Sequence, residues 1–316
     1  MRFSVIIPLY NKAPYIQKAL ESVFAQTFKD FEVIIIDDGS SDTSFNDAQK
    51  ALSGCLVDYQ LIHQDNAGVS TARNNGVSYS KGDYICFLDA DDWWEPTFLE
   101  EMDLLIKDCP DAGLYGTSYS IIDEKNHKTR QASIGVKDGF KKGYIDYFKT
   151  YSTGLYMPIW TGAACVPRKV YDKVHGFNPN LKMCEDFDLW VRIAINYKVA
   201  LLYKPLSNYN QDVNIANRAI GSLPSPETQF AFCADYLDRA KEDNPDLKHT
   251  VEMVQIACLR SYYLSNEYYT RAKEVLGSLD VDAHRNKAYA DYLFCPRCFI
   301  LMKDRLYRLL QLWKKR

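Results

Sequence analysis

Through the first third of the chain, short continuously apolar stretches alternate with stretches in which apolar residues return every three or four positions. Phe3 to Pro8 is of the first kind and reads as a buried strand, whereas Ile16, Ala19, Leu20, Val23 and Phe24 form one face of a helix packed on a core. Residues 31 to 36 supply a second strand and complete a βαβ unit. A helix over roughly 43 to 53 leads to a third strand near Tyr59 to His63. The segment Asn66 to Gly76 then opens as a loop and continues as a helix, and a fourth strand covers 84 to 88. After Leu114 the rhythm loosens into a mixed region rich in tyrosine, and beyond Leu223-Pro224-Ser225-Pro226 it is helical to the end. The expected class is α/β: a Rossmann-like, mostly parallel sheet flanked by helices in residues 1–222, then an α-helical domain in 223–316. The loosening of the rhythm divides the first domain into 1–115 and 116–222.

Three acidic clusters punctuate this pattern. Phe31 to Ile36 runs into Asp37-Asp38-Gly39-Ser40, Tyr84 to Leu88 runs into Asp89-Ala90-Asp91-Asp92, and Glu185-Asp186-Phe187-Asp188 opens the run Leu189 to Ile193. The first two lie where a buried parallel strand reaches the carboxyl edge of its sheet, the edge at which open parallel sheets bind ligands. Carboxylates converging there repel one another unless a cation is shared between them. A divalent metal carrying phosphates is the expected occupant.

Composition adds little to the fold and more to the function. The 316 residues, 47% hydrophobic and 25% charged, suffice for a large core and two domains. The formal charge of -3 conceals a local excess, since residues 295–316 carry +6 against -9 elsewhere. Met1-Arg2-Phe3 leads directly into a strand that Pro8 interrupts, too short for an export signal, so the nine cysteines are expected to be reduced. The longest uncharged run, Thr150 to Pro167, holds two prolines and two glycines and is a poor membrane span. The expected location is cytoplasmic, with a peripheral contact at the inner face of the membrane as the second reading. No His-Glu-x-x-His, Gly-x-Ser-x-Gly, Gly-x-Gly-x-x-Gly or Walker sequence occurs, which argues against peptidase, hydrolase, dehydrogenase and ATPase chemistry.

Five segments in order, Ser4 to Asn11, Glu32 to Asp42, Asn66 to Asn74, Asp89-Ala90-Asp91-Asp92 and Glu185-Asp186, resemble the inverting family 2 glycosyltransferases. The resemblance covers about residues 1 to 210 and implies the GT-A fold. It further implies transfer of one sugar from a nucleotide-diphosphate sugar, expected to be UDP-linked, to a hydroxyl of a glycan or lipid-linked acceptor in cell-surface polysaccharide synthesis. The Gln-x-x-Arg-Trp segment of processive members is missing, which favours one addition per encounter.

Roles follow from the resemblance residue by residue. Asp38 would accept the imide N–H of the base, with Pro8 and Tyr10 as the wall against it. Chemistry alone leaves Asp37 or Asp38 equally able to cap the following helix. Arg73 would contact the diphosphate, Asp89 would hold the ribose or sugar, and Asp91 would bind Mg²⁺ or Mn²⁺, both of which accept oxygen ligands and share phosphate oxygens. Whether Asp91 or Asp92 touches the metal stays open. Asp186 would be the general base, with Glu185 or Asp188 as alternatives, and Trp160 and Glu185 would lie on the acceptor side. His175-Gly176-Phe177-Asn178 stands where the family often has Gly-Gly-Phe-Asp.

Three further features lie outside the resemblance. Cys295-Pro296-Arg297-Cys298 has metal-ligand spacing but no second pair, and reads as two ordinary cysteines at a helix start. If 299–316 is one helix, Phe299, Met302, Leu306, Leu309, Leu310 and Trp313 form an apolar stripe amid basic residues. Such a helix either docks on an anionic membrane or packs on its own domain. Two other function classes share parts of the pattern: a nucleotidyltransferase, which would need a glycine-rich basic loop that Leu9-Tyr10-Asn11-Lys12 does not supply, and a catalytically silent scaffold of a glycan-assembly complex. No nucleic-acid partner is expected.

Overall fold

In a computed structural model of the chain, residues 1–123, 125–154, 156–211 and 223–302 are described. They fall into two compact units, Met1–Gly221 and Ser222–Arg316.

The first unit starts with β1 (Phe3–Leu9), whose seven residues are all buried, as a continuously apolar strand requires when both faces of its sheet are covered. Helix α1 (Ile16–Phe24) buries Ile16, Ala19, Leu20 and Val23, the residues its 3.6 periodicity selects. β2 (Phe31–Asp38), α2 (Ser44–Leu52), β3 (Asp58–Gln64), α3 (Val69–Tyr79) and β4 (Tyr84–Phe87) follow. β1, β2, β3 and β4 pair in parallel in the order β3-β2-β1-β4. α3 lies close enough to the sheet that a Cβ at Gly76 would sit 2.5 Å from Cγ2 of Ile6, so only glycine permits this approach.

The chain builds outward from β1 to β3 and then returns to the other side of β1. That places a topological switch point between β1 and β4, the position at which α/β sheets open a crevice for ligands. The remaining elements widen the sheet: β5 (Trp93–Trp94), α4 (Phe98–Asp108), β6 (Ala112–Asp123), β7 (Lys128–Gln131), β8 (Lys142–Ile145), α5 (Tyr147–Thr153), β9 (Ala164–Pro167), α6 (Arg168–Lys173), α7 (Glu185–Ala194) and β10 (Lys198–Asn210). β9 runs antiparallel to both β4 and β6, while β6 and β10 are parallel to each other. The GT-A architecture expected of the sequence is the one found. What the sequence did not single out are the long strands β6 and β10, in which Gly, Ser, Thr, Tyr and Asn interrupt the apolar run. Most of these residues are buried all the same, because the sheet is covered on both faces there.

The second unit is helical, with short 3-10 segments before α8 (Asp238–Asp243), α9 (Pro245–Leu264) and α10 (Tyr269–Gly277). Asn244 caps α9 by accepting from Leu247 N, and Ile256, Leu259, Tyr262, Leu276 and Tyr292 share its core. Arg297, inside the Cys-Pro-Arg-Cys segment, donates to the carbonyls of Tyr263, Leu264 and Ser265 and so closes the carboxyl end of α9. Cys295 and Cys298 are exposed and unpaired. Of the carboxyl-terminal stripe, Phe299 and Met302 are exposed, whereas Ile300, which is not part of it, is buried. Residues 303–316 of that expected helix lie outside the described residues. No helix among the described residues is long and apolar enough to cross a membrane.

Candidate active site

At the carboxyl end of β1, Tyr10 is exposed and Asn11 adopts a left-handed φ of 50°. That turn brings the Asn11 amide oxygen onto Ser41 N at 2.8 Å, tying the loop after β1 to the loop after β2. Pro8 is buried inside β1, so of the two residues expected to wall the base only Tyr10 presents surface.

Asp38 is also buried, and its carboxylate accepts from Gln64 Nε2 at 2.7 Å, Ala67 N at 2.8 Å and Gly68 N at 2.9 Å. It therefore organises the loop that enters α3, not the start of α2. At the start of α2 it is Asp42, just before the N-cap Thr43, that accepts from Ser44 N at 2.9 Å. The helix-capping alternative for Asp37 and Asp38 is corrected accordingly: Asp37 instead pairs with His63 Nδ1 at 2.6 Å, in register across β2 and β3.

The turn after β4 sets three carboxylates side by side and treats each differently. Asp92 is 1% exposed; its oxygens accept from Asn210 N and from Trp160 Nε1, both at 2.9 Å. Burial, then the neighbouring Asp91 and Asp89, push its carboxyl well above the usual range. Asp89 accepts from Arg73 at 2.8 Å. Asp91 meets the Lys12 ammonium at 2.7 Å, with both side chains about one-sixth exposed. Between Asp91 and Asp92, the geometry leaves Asp91 as the acid an incoming ion can reach.

The start of α7 repeats the arrangement. Cys184, its N-cap, has φ 60°, a left-handed conformation that costs a non-glycine residue energy and turns the three acids of the first turn inward. Asp188 is clamped by Arg192, whose NH2 lies 2.6 Å away and whose guanidinium also donates to the carbonyls of Val174 and Gly176. Glu185 accepts from Arg73 at 3.0 Å. Asp186 keeps some exposure and accepts from Thr161 Oγ1 at 2.9 Å and Phe187 N at 2.7 Å. Burial, with Glu185 second, pushes its carboxyl up to about 6, against the opposing pull of Arg73 and Thr161. The helix N-terminus and these hydrogen bonds make the ionised form accessible near neutrality.

Arg73 links the two acidic turns. Its terminal nitrogens meet Asp89 and Glu185, its Nε is buried without a partner, and its charge lies 4.9 Å from the Phe177 ring centre. Although burial works against the charge, Asp89 and Glu185 hold the guanidinium protonated. The sequence placed Arg73 on the diphosphate. In the structure its two terminal nitrogens meet the carboxylates of Asp89 and Glu185, and 4% of its side chain is exposed.

Several residues that shape the site carry no signal in the sequence. Lys12, Thr161, Asn210 and Trp94, whose indole N–H donates to Gly162 O at 2.6 Å, meet partners distant in sequence, and no spacing rule reaches them. His175, at the departure from the family pattern, takes φ 62°, the conformation that glycine adopts without cost. Trp160 and Tyr209 sit beside the acids with ring centres 4.3 Å apart, and Tyr119 lies 6.1 Å from Trp160.

The residues fit a divalent cation that prefers oxygen, with one condition. Among the described residues no three His, Cys, Asp or Glu side chains converge to enclose a metal unaided. Asp91 therefore suits an ion whose other ligands come from phosphate and water, the habit of Mg²⁺ and Mn²⁺.

Comparison with known proteins places this geometry in context. The family model described as Glycosyl transferase family 2 matches residues 4–173. An uncharacterized glycosyltransferase of Rickettsia felis is 29% identical over an alignment 233 positions long that covers 67% of this chain and 37% of the relative. The chain thus spans little more than a third of that protein's length. Residues 1–349 of TarS from S. aureus, crystallised with UDP-GlcNAc, superpose over 87% of this chain and 88% of that piece with a TM-score of 0.59 at 18% identity. A mannosyltransferase of Pyrobaculum calidifontis in complex with GDP-Man and Mn²⁺ covers 99% of this chain and 83% of its own, with a TM-score of 0.57 at 18% identity.

Proposed function

Because the chain belongs to glycosyl transferase family 2, we propose that it is an inverting, non-processive glycosyltransferase. It moves one sugar from a nucleotide-diphosphate sugar to a hydroxyl of a glycan or lipid-linked acceptor in cell-surface polysaccharide synthesis. Residues 1–222 are the catalytic domain, with the donor nucleotide against 1–115 and the acceptor against 116–222, and 223–316 are a second domain, helical over its described residues 223–302. The observation that carries this reading is a pair of acids on two turns that Arg73 ties together: Asp91, reachable and facing a cation, and Asp186, partly exposed with its carboxyl pushed up to about 6.

Asp186 takes the proton of the acceptor hydroxyl as that oxygen attacks the anomeric carbon opposite the nucleotide. A carboxylate titrating near the working pH is suited to that transfer. Mg²⁺ or Mn²⁺, held by Asp91 and phosphate oxygens, would neutralise charge developing on the leaving diphosphate. Arg73 keeps Asp89 and Glu185 in place, which sets Asp89 toward the donor sugar and Glu185 beside the acceptor. Of the roughly four acceptor directions of a carboxylate, Asp38 has used three, leaving one for a base imide N–H with Tyr10 flanking it. The half-exposed Trp160 and Tyr209 offer apolar faces to an acceptor sugar ring.

The fold relatives carry uridine and guanosine donors, so a panel of nucleotide sugars spanning both bases is the deciding experiment. Release of nucleoside diphosphate with a UDP-sugar, dependent on Mn²⁺ or Mg²⁺, is expected. No release from any donor, with or without metal and with glycan and lipid-linked acceptors supplied, would sink the assignment. Calorimetry of UDP tests the metal separately: equal affinities with and without Mn²⁺ would remove the ion from the mechanism.

A further inference from the structure

We propose that Lys12 is a resident counter-ion that competes with the divalent cation for Asp91, and that the ammonium passes to the donor's diphosphate when the metal arrives. The inference rests on the reading of Asp91 as the metal carboxylate, and it assigns a role in donor binding to the loop after β1. Lys12 and Asp91 approach across the switch point, one from the end of β1 and the other from the turn after β4, to 2.7 Å. Each side chain is only about one-sixth exposed, so the pair is shielded from screening yet open to solvent on one side.

The other two acids of the turn are held by groups that do not move easily. Asp92 is buried on Trp160 and the Asn210 backbone, and Asp89 is on an arginine 3% exposed. Lys12 differs. Its backbone is pinned, because its N–H donates to Ser44 Oγ at 2.7 Å and the preceding Asn11 anchors the loop after β2. Its charge, by contrast, sits on a flexible four-carbon stem. An ammonium is a point charge with three donors, so it trades a carboxylate oxygen for a phosphate oxygen without the planar match a guanidinium needs. A metal reaching Asp91 with a diphosphate brings anionic oxygens within range of the displaced ammonium. The ion pair thus neutralises the acidic turn in the empty protein and is replaced when metal and donor bind.

The test uses the full chain free of nucleotide. Mn²⁺ binding is followed by calorimetry and by loss of the free-ion EPR signal in wild type, Lys12→Met, Lys12→Gln and Asp91→Asn, and UDP affinity is then measured at saturating Mn²⁺. If Lys12 covers Asp91 about nine-tenths of the time, removing it raises Mn²⁺ affinity about tenfold. UDP affinity at saturating Mn²⁺ falls by a similar factor in both Lys12 variants. Abolition of Mn²⁺ binding by Asp91→Asn, with wild-type Mn²⁺ affinity in both Lys12 variants, would overturn the competition while leaving the metal reading intact. Unchanged Mn²⁺ binding in Asp91→Asn would overturn both. Tighter Mn²⁺ with undiminished UDP affinity would overturn the transfer of Lys12 to the diphosphate.

Discussion

The turn after β4 and the first turn of α7 each present three acids to the same crevice and neutralise them by the same division of labour. In each, one acid is held by Arg73: Asp89 in the first and Glu185 in the second. In each, one is spent on the scaffold, Asp92 on Trp160 and the Asn210 backbone, Asp188 on Arg192. In each, one remains reachable, Asp91 facing Lys12 and Asp186 facing Thr161. The difference lies in that last partner. An ammonium opposes the rise that burial imposes on Asp91 and prepares it to exchange one cation for another. At Asp186 no cation among the described residues makes direct contact: the nearby charge of Arg73 and the Thr161 hydroxyl only partly offset burial and Glu185, so its carboxyl stays near 6, as the proposed proton transfer requires. In the proposed function, acids of the same type serve as ion ligand or as base according to what faces them.

The comparison predicts the largest effect where the reachable acid loses its chemistry. Asp186→Asn keeps size and much of the hydrogen bonding but cannot accept a proton, so turnover should fall by about 10² to 10⁴ with donor affinity almost unchanged. Asp188→Asn should lose less rate and more stability. Transfer rates and donor affinities of the two variants decide it, and collapse in Asp188→Asn beside a near-normal Asp186→Asn would move the base to the other residue.

Arg73→Met removes the tie common to both turns and leaves Asp89 and Glu185 facing each other without their shared cation. Breaking a buried pair of this kind costs about 3–5 kcal/mol, read as a lower urea midpoint at unchanged slope. Wild-type stability in Arg73→Met would mean that the two turns are independent.

The pH profile sharpens the comparison further. If Asp186 is the base, kcat/KM should rise about tenfold per pH unit below 6 and level off above it, since the active form is the carboxylate. The stability sign is opposite. The folded carboxyl titrates near 6 and the unfolded one near 3.8, so the folded chain holds the extra proton in that window and loses stability as pH rises through it. The smallest effect belongs to Thr161→Val. Its hydroxyl favours the ionised Asp186, so removing it should move the acid limb upward by a fraction of a pH unit with a modest loss of rate. A limb that stays in place would detach Thr161 from the base.

Much of this was legible in the chain. The apolar runs at 3–8, 31–36 and 84–88 and the helical face from Ile16 to Val23 are local patterns, and local patterns fix which segments are buried strands and helices. The acids at their ends follow from where a buried strand must stop. β6 and β10 were not legible, because Gly, Ser, Thr, Tyr and Asn break the continuous apolar run by which a strand buried on both faces is recognised.

The partner of each acid was beyond the sequence as well. Asp91 and Asp92 are adjacent and chemically identical, yet one meets Lys12 and the other is buried on Trp160. Arg73, expected at a phosphate, lies between two carboxylates from different turns. Sequence alone set the order of elements and the kinds of group that gather at the crevice, since both depend on neighbours along the chain. The roles these groups take were decided by the tertiary structure, because charge, burial and proton affinity depend on what stands within a few ångströms in space, and those neighbours come from segments far apart in the chain.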